Sequence, residues 1–303
     1  MEFIAKFIMK NRMSAMTVAS SLALLSIIMP PISIVSSAAV ALVTLRRGAN
    51  EGLLVLLSAC VAAATLGFFV LGDYQFAVAY ALILWVPVWV LSIVLREGKH
   101  LSLALEIAAV LGILGVLGVY LFIPAPVEYW QEILAVMIEP MRQAQDIPLE
   151  QLEATVQTVA KYMTGILAAG SVTGLMLGLL LARWWQAKLY NPGGFKTEYL
   201  SLQMSQRFTL ATLLVILVAF LTSGGISEVA ANIGVILFML YSFVGMAIIH
   251  GFISAMKAKR FLLPAFYLLI FVIPHMVLPV AIIGLTDTWL NLRKKIKPPT
   301  SAD

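Results

Sequence analysis

The amino-acid sequence predicts an all-α polytopic membrane bundle, and three observations carry that expectation. Hydrophobic residues make up 61% of the 303 and charged residues only 12%, far from the roughly 45–50% and 25% of soluble domains. Six apolar runs, 52–71, 76–95, 101–123, 164–183, 208–223 and 232–252, approach the roughly 20 residues needed to cross a bilayer core of about 30 Å. The loops between them alternate in charge.

One set of loops carries Arg46, Arg47, Arg96, Lys99, Arg183, Lys188, Lys196, Arg207, Lys257, Lys259 and Arg260. The other carries only Arg142 and Lys161, beside Glu128, Glu132, Glu139, Asp146, Glu150 and Glu153. The positive-inside rule makes the first set cytoplasmic. The Lys and Arg residues behind the net charge of +5 lie in short juxtamembrane clusters, without a basic helix or aromatic stacking platform, so nucleic acid is not an expected partner.

The elements follow in order. Lys6, Lys10 and Arg12 before an apolar run, with Ser36, Ser37, Ala38 and Ala39 after it, resemble a secretory signal and its cleavage site. The apolar character continues through Leu45, so the segment is expected to stay as the first membrane element. Residues 16–45 are too long for one straight span at 1.5 Å per residue, are interrupted by Pro30 and Pro31, and have basic flanks on both sides. They predict two short helices in a hairpin with its tip at Met29, Pro30 and Pro31.

Between residues 124 and 162 lies the only sizeable extramembrane segment. Leu149, Leu152, Val156, Val159 and Met163 recur at helical spacing after Pro148, predicting an amphipathic helix that leads into the next span as an outward cap. Residues 185–207 are expected to form a cytoplasmic loop and residues 208–297 the C-terminal helices. Within the latter, 261–290 contains Pro274 and Pro279, which either kink one span or mark a second hairpin. The basic run Arg293, Lys294, Lys295 and Lys297 favours the hairpin. The whole chain, 1–303, then reads as one polytopic domain of about nine to ten transmembrane or half-membrane helices with a cytoplasmic N-terminus.

Few residues promise chemistry. No phosphate-binding loop, metal-spaced histidine pair or nucleophile elbow occurs, so neither an enzyme nor a cofactor or metal site is expected. The lone Cys60 lies inside an apolar run and is expected to act as a small apolar residue. Glu106, Asn232 and His275 interrupt the apolar runs or their edges and are candidate intramembrane polar sites. His275 is expected to bond backbone carbonyls freed by its neighbouring prolines. Two small-residue ladders, Ala15, Ala19 and Ala23, and Gly170, Gly174 and Gly178, each occupy one helix face and permit close helix docking. Ser33, Asp73, Tyr74, Gln75, Tyr129 and Trp130 lie toward the outer side and are candidate substrate-binding residues, although aromatic residues gather at membrane interfaces in any case.

The stretch Trp185, Gln186, Ala187, Lys188, Leu189, Tyr190, Asn191, Pro192, Gly193, Gly194 and Phe195, with Glu198 following, resembles a loop of the YybS-like membrane proteins, a domain-of-unknown-function group (number 2232). So do Gly284 to Arg293 and Leu42 to Gly48. The resemblance implies an uncharacterised bacterial membrane protein. More distantly, the six-helix part 15–184 is similar to the substrate-binding subunits of energy-coupling-factor vitamin transporters. That likeness implies a ligand site near the outer leaflet and a coupling partner docked on the alanine face.

Two function classes follow. One is a small-molecule binding or transport subunit of the bacterial inner membrane. The other is a non-enzymatic envelope scaffold, similar to rod-shape membrane proteins, acting through its cytoplasmic face at Trp185, Tyr190 and Phe195. Either accommodates a membrane-protein partner or a homo-oligomer.

Overall fold

A computed structural model describes residues 2–144 and 148–295; Asp146 and Lys297, counted among the charge signals, lie outside them. Among the described residues every regular element is helical. A short amphipathic helix, α1 (Glu2–Lys10), precedes α2 (Arg12–Leu25). The two prolines that interrupt the first apolar stretch form a short 3-10 turn, Pro30–Ile32, and α3 (Ser33–Arg47) returns. Arg12 pairs with Glu51, and Arg47 donates to the Met9 carbonyl at 2.6 Å, so both ends of this hairpin lie at the same end of the bundle.

The next elements are α4 (Ala49–Leu71), α5 (Gln75–Gly98) and α6 (Leu101–Phe122). Within α5, Ala81–Trp85 wind as a π-helix. Pro87 explains the local change, since it has no N–H for the carbonyl four residues back and its ring crowds that carbonyl. Helix α7 (Pro126–Ala144) forms the outer cap with the first turns of α8 (Leu149–Tyr190). No proline interrupts α8, so cap and span are one helix of 42 residues, about 63 Å at 1.5 Å per residue. It stops where Pro192 disfavours a helical Asn191.

The segment expected as a loop after 184 is therefore largely helical: α8 runs on to Tyr190, and α9 (Gly194–Leu200) follows. Then come α10 (Gln206–Leu221), α11 (Gly225–Ser254), α12 (Lys259–Val272) and α13 (Val277–Leu290). Helices α12 and α13 meet at Pro274 with a bend of 112°, so the last apolar stretch turns back as a splayed pair. Among the described residues five helices are long and apolar enough to cross a membrane, six with this broken pair; α2, α3 and α10 are shorter.

Helix α3 is the centre of the first half, with every residue from Ser36 to Leu45 buried between α2, α4, α5 and α8. Its final-turn Leu45 carbonyl, an acceptor left free by helix geometry, receives Arg96 of α5 at 2.8 Å and Gln186 of α8 at 3.2 Å. Helix α11 is the second centre, packed on α8, α10 and α13. At Gly245 and Gly284 the backbones of α11 and α13 touch, and an added methyl would strike the Val280 or Tyr241 carbonyl oxygen.

Candidate functional site

Helices α8 and α10 both pack on α11 without closing on each other. Ala169, Gly170, Ala219, Ala231 and Gly234 are too small to fill the space between them, leaving a lateral cavity of about 770 Å³. A Cβ built on Gly170 or Gly234 meets no atom within 4 Å. Ile166, Ile216, Phe220, Val235, Phe238 and Met239 form apolar walls, and no lining residue is charged. The volume lies within the roughly 300–1,000 Å³ of small-molecule sites.

Tyr241 and Thr212 border this cavity but are only 1% and 3% exposed. The Tyr241 hydroxyl donates to Thr209 Oγ1 at 3.0 Å, and Thr209 donates to the Ser205 carbonyl at 3.1 Å. Thr288 then supplies the hydrogen in its 3.1 Å contact with Thr209, while Thr212 donates to the Phe208 carbonyl at 3.0 Å. Each hydroxyl has one hydrogen, so those of Tyr241 and Thr212 are committed away from the cavity.

Behind Thr288 lies a smaller polar pocket of about 210 Å³, lined by Gln203, Ser205, Gln206, Asp287 and Asn291 among others. Glu106 accepts from the Ser205 amide at 2.6 Å and so places its carboxylate at the N-terminus of α10, where helix dipole and free amides favour it. Arg293 pairs with Asp287 at 3.1 Å and donates to the Leu202 carbonyl. Burial pulls the Arg293 guanidinium down from its ordinary value, with Asp287 opposing.

A third cavity, about 400 Å³, lies between α5, α6 and α8 beneath Trp130, whose indole donates to Thr164 Oγ1 at 2.8 Å. The other candidate substrate residues make local contacts elsewhere. Ser33 donates to the Pro30 carbonyl, and Asp73 accepts from the Gln75 amide. Tyr74 and Tyr129 are exposed, the latter packed edge to face on Trp130.

The ladders diverge in use. Ala15, Ala19 and Ala23 are all 0% exposed, closed inside the bundle by α3 and α4, with Ser36 donating to the Ala19 carbonyl. The expected docking face is corrected accordingly: internal packing occupies it. Gly178 fits close against Ser37 of α3, Gly170 opens onto the lateral cavity, and Gly174 has open space. His275 is exposed and bonds none of the carbonyls expected of it among the described residues. Cys60 stays a free, half-buried thiol.

The stretch 185–198, formed by the last turns of α8, the following turn and part of α9, acts as an internal clasp. Trp185 is fully buried, its indole nitrogen without an acceptor among the described residues. Tyr190 lies under the Arg46 guanidinium at 4.1 Å, and Glu198 pairs with Arg183. The Asn191 amide lies over Gly194, and Gly193 adopts a φ of +92°, a turn conformation that suits glycine. Pro192 lines a shallow pocket with Trp184 and Lys196. Phe195 stacks on Tyr199, whose phenol meets Tyr267 at 3.2 Å; burial and that neighbour push the Tyr199 phenol up.

These features define a polytopic helical membrane protein with a cavity open at its side. A family model for predicted membrane proteins of unknown function, DUF2232, matches residues 17–288, and the chain belongs to that family. No curated protein and no solved structure matches it.

Proposed function

We propose that the protein is a non-enzymatic small-molecule binding subunit of the bacterial inner membrane, with the lateral cavity between α8, α10 and α11 as its site. The observation that carries this reading is the cavity itself: about 770 Å³ of space with predominantly apolar walls and no charged lining residue. A space of that size is a net loss of packing unless something fills it. The resemblance expected of 15–184 does not reach α10 and α11, which build most of the cavity, and the buried alanine face argues for a different partner surface than that resemblance implies. Burial of Trp185 and internal use of Tyr190 and Glu198 weigh against the cytoplasmic scaffold reading.

Native mass spectrometry of protein extracted in mild detergent from its own membrane tests the proposal. One small-molecule adduct per chain is expected in the wild type and its loss in Gly170→Leu, where the new side chain enters free space. An adduct that survives Gly170→Leu, or a protein partner with no adduct, would overturn the reading.

A further inference from the structure

We infer that the outer cap docks a second protein, through a segment of that partner which is a basic amphipathic helix. No residue of α7 lines the lateral cavity, so this surface stands or falls independently of that site.

Along α7, Tyr129, Ile133, Val136, Met137, Pro140 and Met141 recur three or four residues apart, which sets them on one face of the helix. Helix α8 leaves most of that face uncovered. Val136 is 77% exposed and Met137 66%, and Tyr129, Pro140 and Met141 are exposed as well.

The bilayer does not cover it either. Trp130 meets Thr164, the first residue of the apolar run in α8, whereas Arg142 meets Glu153, eleven residues nearer the start of that helix and so about 16 Å farther out. Helix α7 therefore rises along α8, away from the membrane. Val136 to Met141 stand about 9–16 Å beyond Trp130, past a headgroup layer of about 5–7 Å.

A row of apolar side chains held in water marks a surface that another molecule covers. Its borders select the chemistry of that molecule. Glu128, Glu132 and Glu139 are exposed beside the row, and residues 124–162 add Asp146, Glu150 and Glu153 against only Arg142 and Lys161. A second copy in a two-fold contact would bring the same carboxylates against these, and an anionic lipid surface would be repelled in the same way. A helix with an apolar stripe at the same spacing and Lys or Arg along its edges matches both features.

The row itself suits this role. From Tyr129 to Met141 it runs about 18 Å, room for some three turns of the incoming helix. Met137 and Met141 adapt to the shape that arrives, because their thioether side chains are unbranched and flexible. Pro140 adds an acceptor for a basic side chain, since it has no N–H to give the Val136 carbonyl.

The test places a benzophenone amino acid at position 137 of the full chain, in cells that make the protein natively, and identifies the cross-linked peptide by mass spectrometry. Irradiation is expected to join position 137 to one protein, through a segment with net positive charge and apolar residues at helical spacing. The same group at position 154 should not capture it, because Ala154 is exposed on the side of α8 opposite Leu152 and Val156. At equal amounts of membrane-inserted chain, Glu132→Lys is expected to lower the yield at 137 several-fold and Glu132→Gln by a smaller factor. Ala154→Lys, which adds a basic charge on the far face, should leave that yield unchanged.

A cross-link to a neutral or acidic segment, to a second copy of the chain, to phospholipid alone or to nothing overturns the proposal. So does a yield at 137 that Glu132→Lys leaves intact, or that Ala154→Lys lowers as much.

Discussion

At Asn232 one carboxamide joins two helices through their backbones. Its Oδ1 accepts from the Gly165 amide at 2.5 Å, and its Nδ2 lies 2.8 Å from the Lys161 carbonyl. Those two groups are i and i−4 partners on α8, which ordinarily bond each other. Nδ2 also approaches the Glu228 carbonyl and the Tyr120 hydroxyl, so every polar atom of this fully buried side chain is engaged. Interhelical side-chain bonds in membranes average about 0.6 kcal/mol and reach about 1.7, so Asn232→Leu should cost about 1–3 kcal/mol of unfolding stability in detergent. Gly165→Ala should cost at least as much, because its methyl would lie 2.6 Å from the Asn232 carbonyl oxygen and 2.8 Å from its Cα, and backbone cannot swing aside. Gly118→Ala is the comparison, expected to be near neutral; a denaturation curve for Asn232→Leu that overlays the wild type would refute the clamp. Asn232 was legible in the sequence as a polar residue in an apolar run. Gly165 was not, since a glycine in a membrane helix has many reasons to be there and only the contact reveals this one.

Helices α12 and α13 differ in how they are held, although the sequence presents them as halves of one apolar stretch. Helix α13 touches α11 backbone to backbone at Gly245 and Gly284. Helix α12 has no buried residue; its polar attachment is Tyr267, whose hydroxyl lies 2.8 Å from His250 Nδ1 and 3.2 Å from the Tyr199 hydroxyl. Tyr267→Phe keeps the ring and removes both bonds. At about 1 kcal/mol for the lost bonding, amide exchange across 259–272 should rise about fivefold, with α13 unchanged. Uniform acceleration of both helices would show that they move as one body. The first hairpin was legible because charge at both flanks and prolines at the tip act locally. The extension of α8 to Tyr190 was missed because aromatic and basic residues suggested a loop, whereas no helix-breaker stands before Pro192. The π-helical turn at Ala81–Trp85 has Pro87 as its only sequence signal.

For the molecule as a whole, the two ends of the bundle reproduce the charge division of the loops. Arg12, Arg47, Arg96 and Arg183 bind groups gathered around one end, and Glu2 ties α1 to Lys188 of α8 there. The cap, with Arg142 bridging Glu139 and Glu153, lies at the other. This segregation is a sum over many residues, which is why the sequence revealed it more readily than the lateral cavity. The cavity depends on small residues from three helices, Ala169, Gly170, Ala219, Ala231 and Gly234, meeting across space; each is ordinary in its own helix. Orientation follows from the same sum, because translocating eleven basic residues is disfavoured relative to translocating the acidic cap. In a Cys60→Ala background, Glu150→Cys should react with a membrane-impermeant maleimide in right-side-out vesicles. Lys196→Cys should react only after the membrane is opened. The reverse pattern would turn the bundle over and place the Tyr162 and Ser227 end of the cavity toward the opposite leaflet.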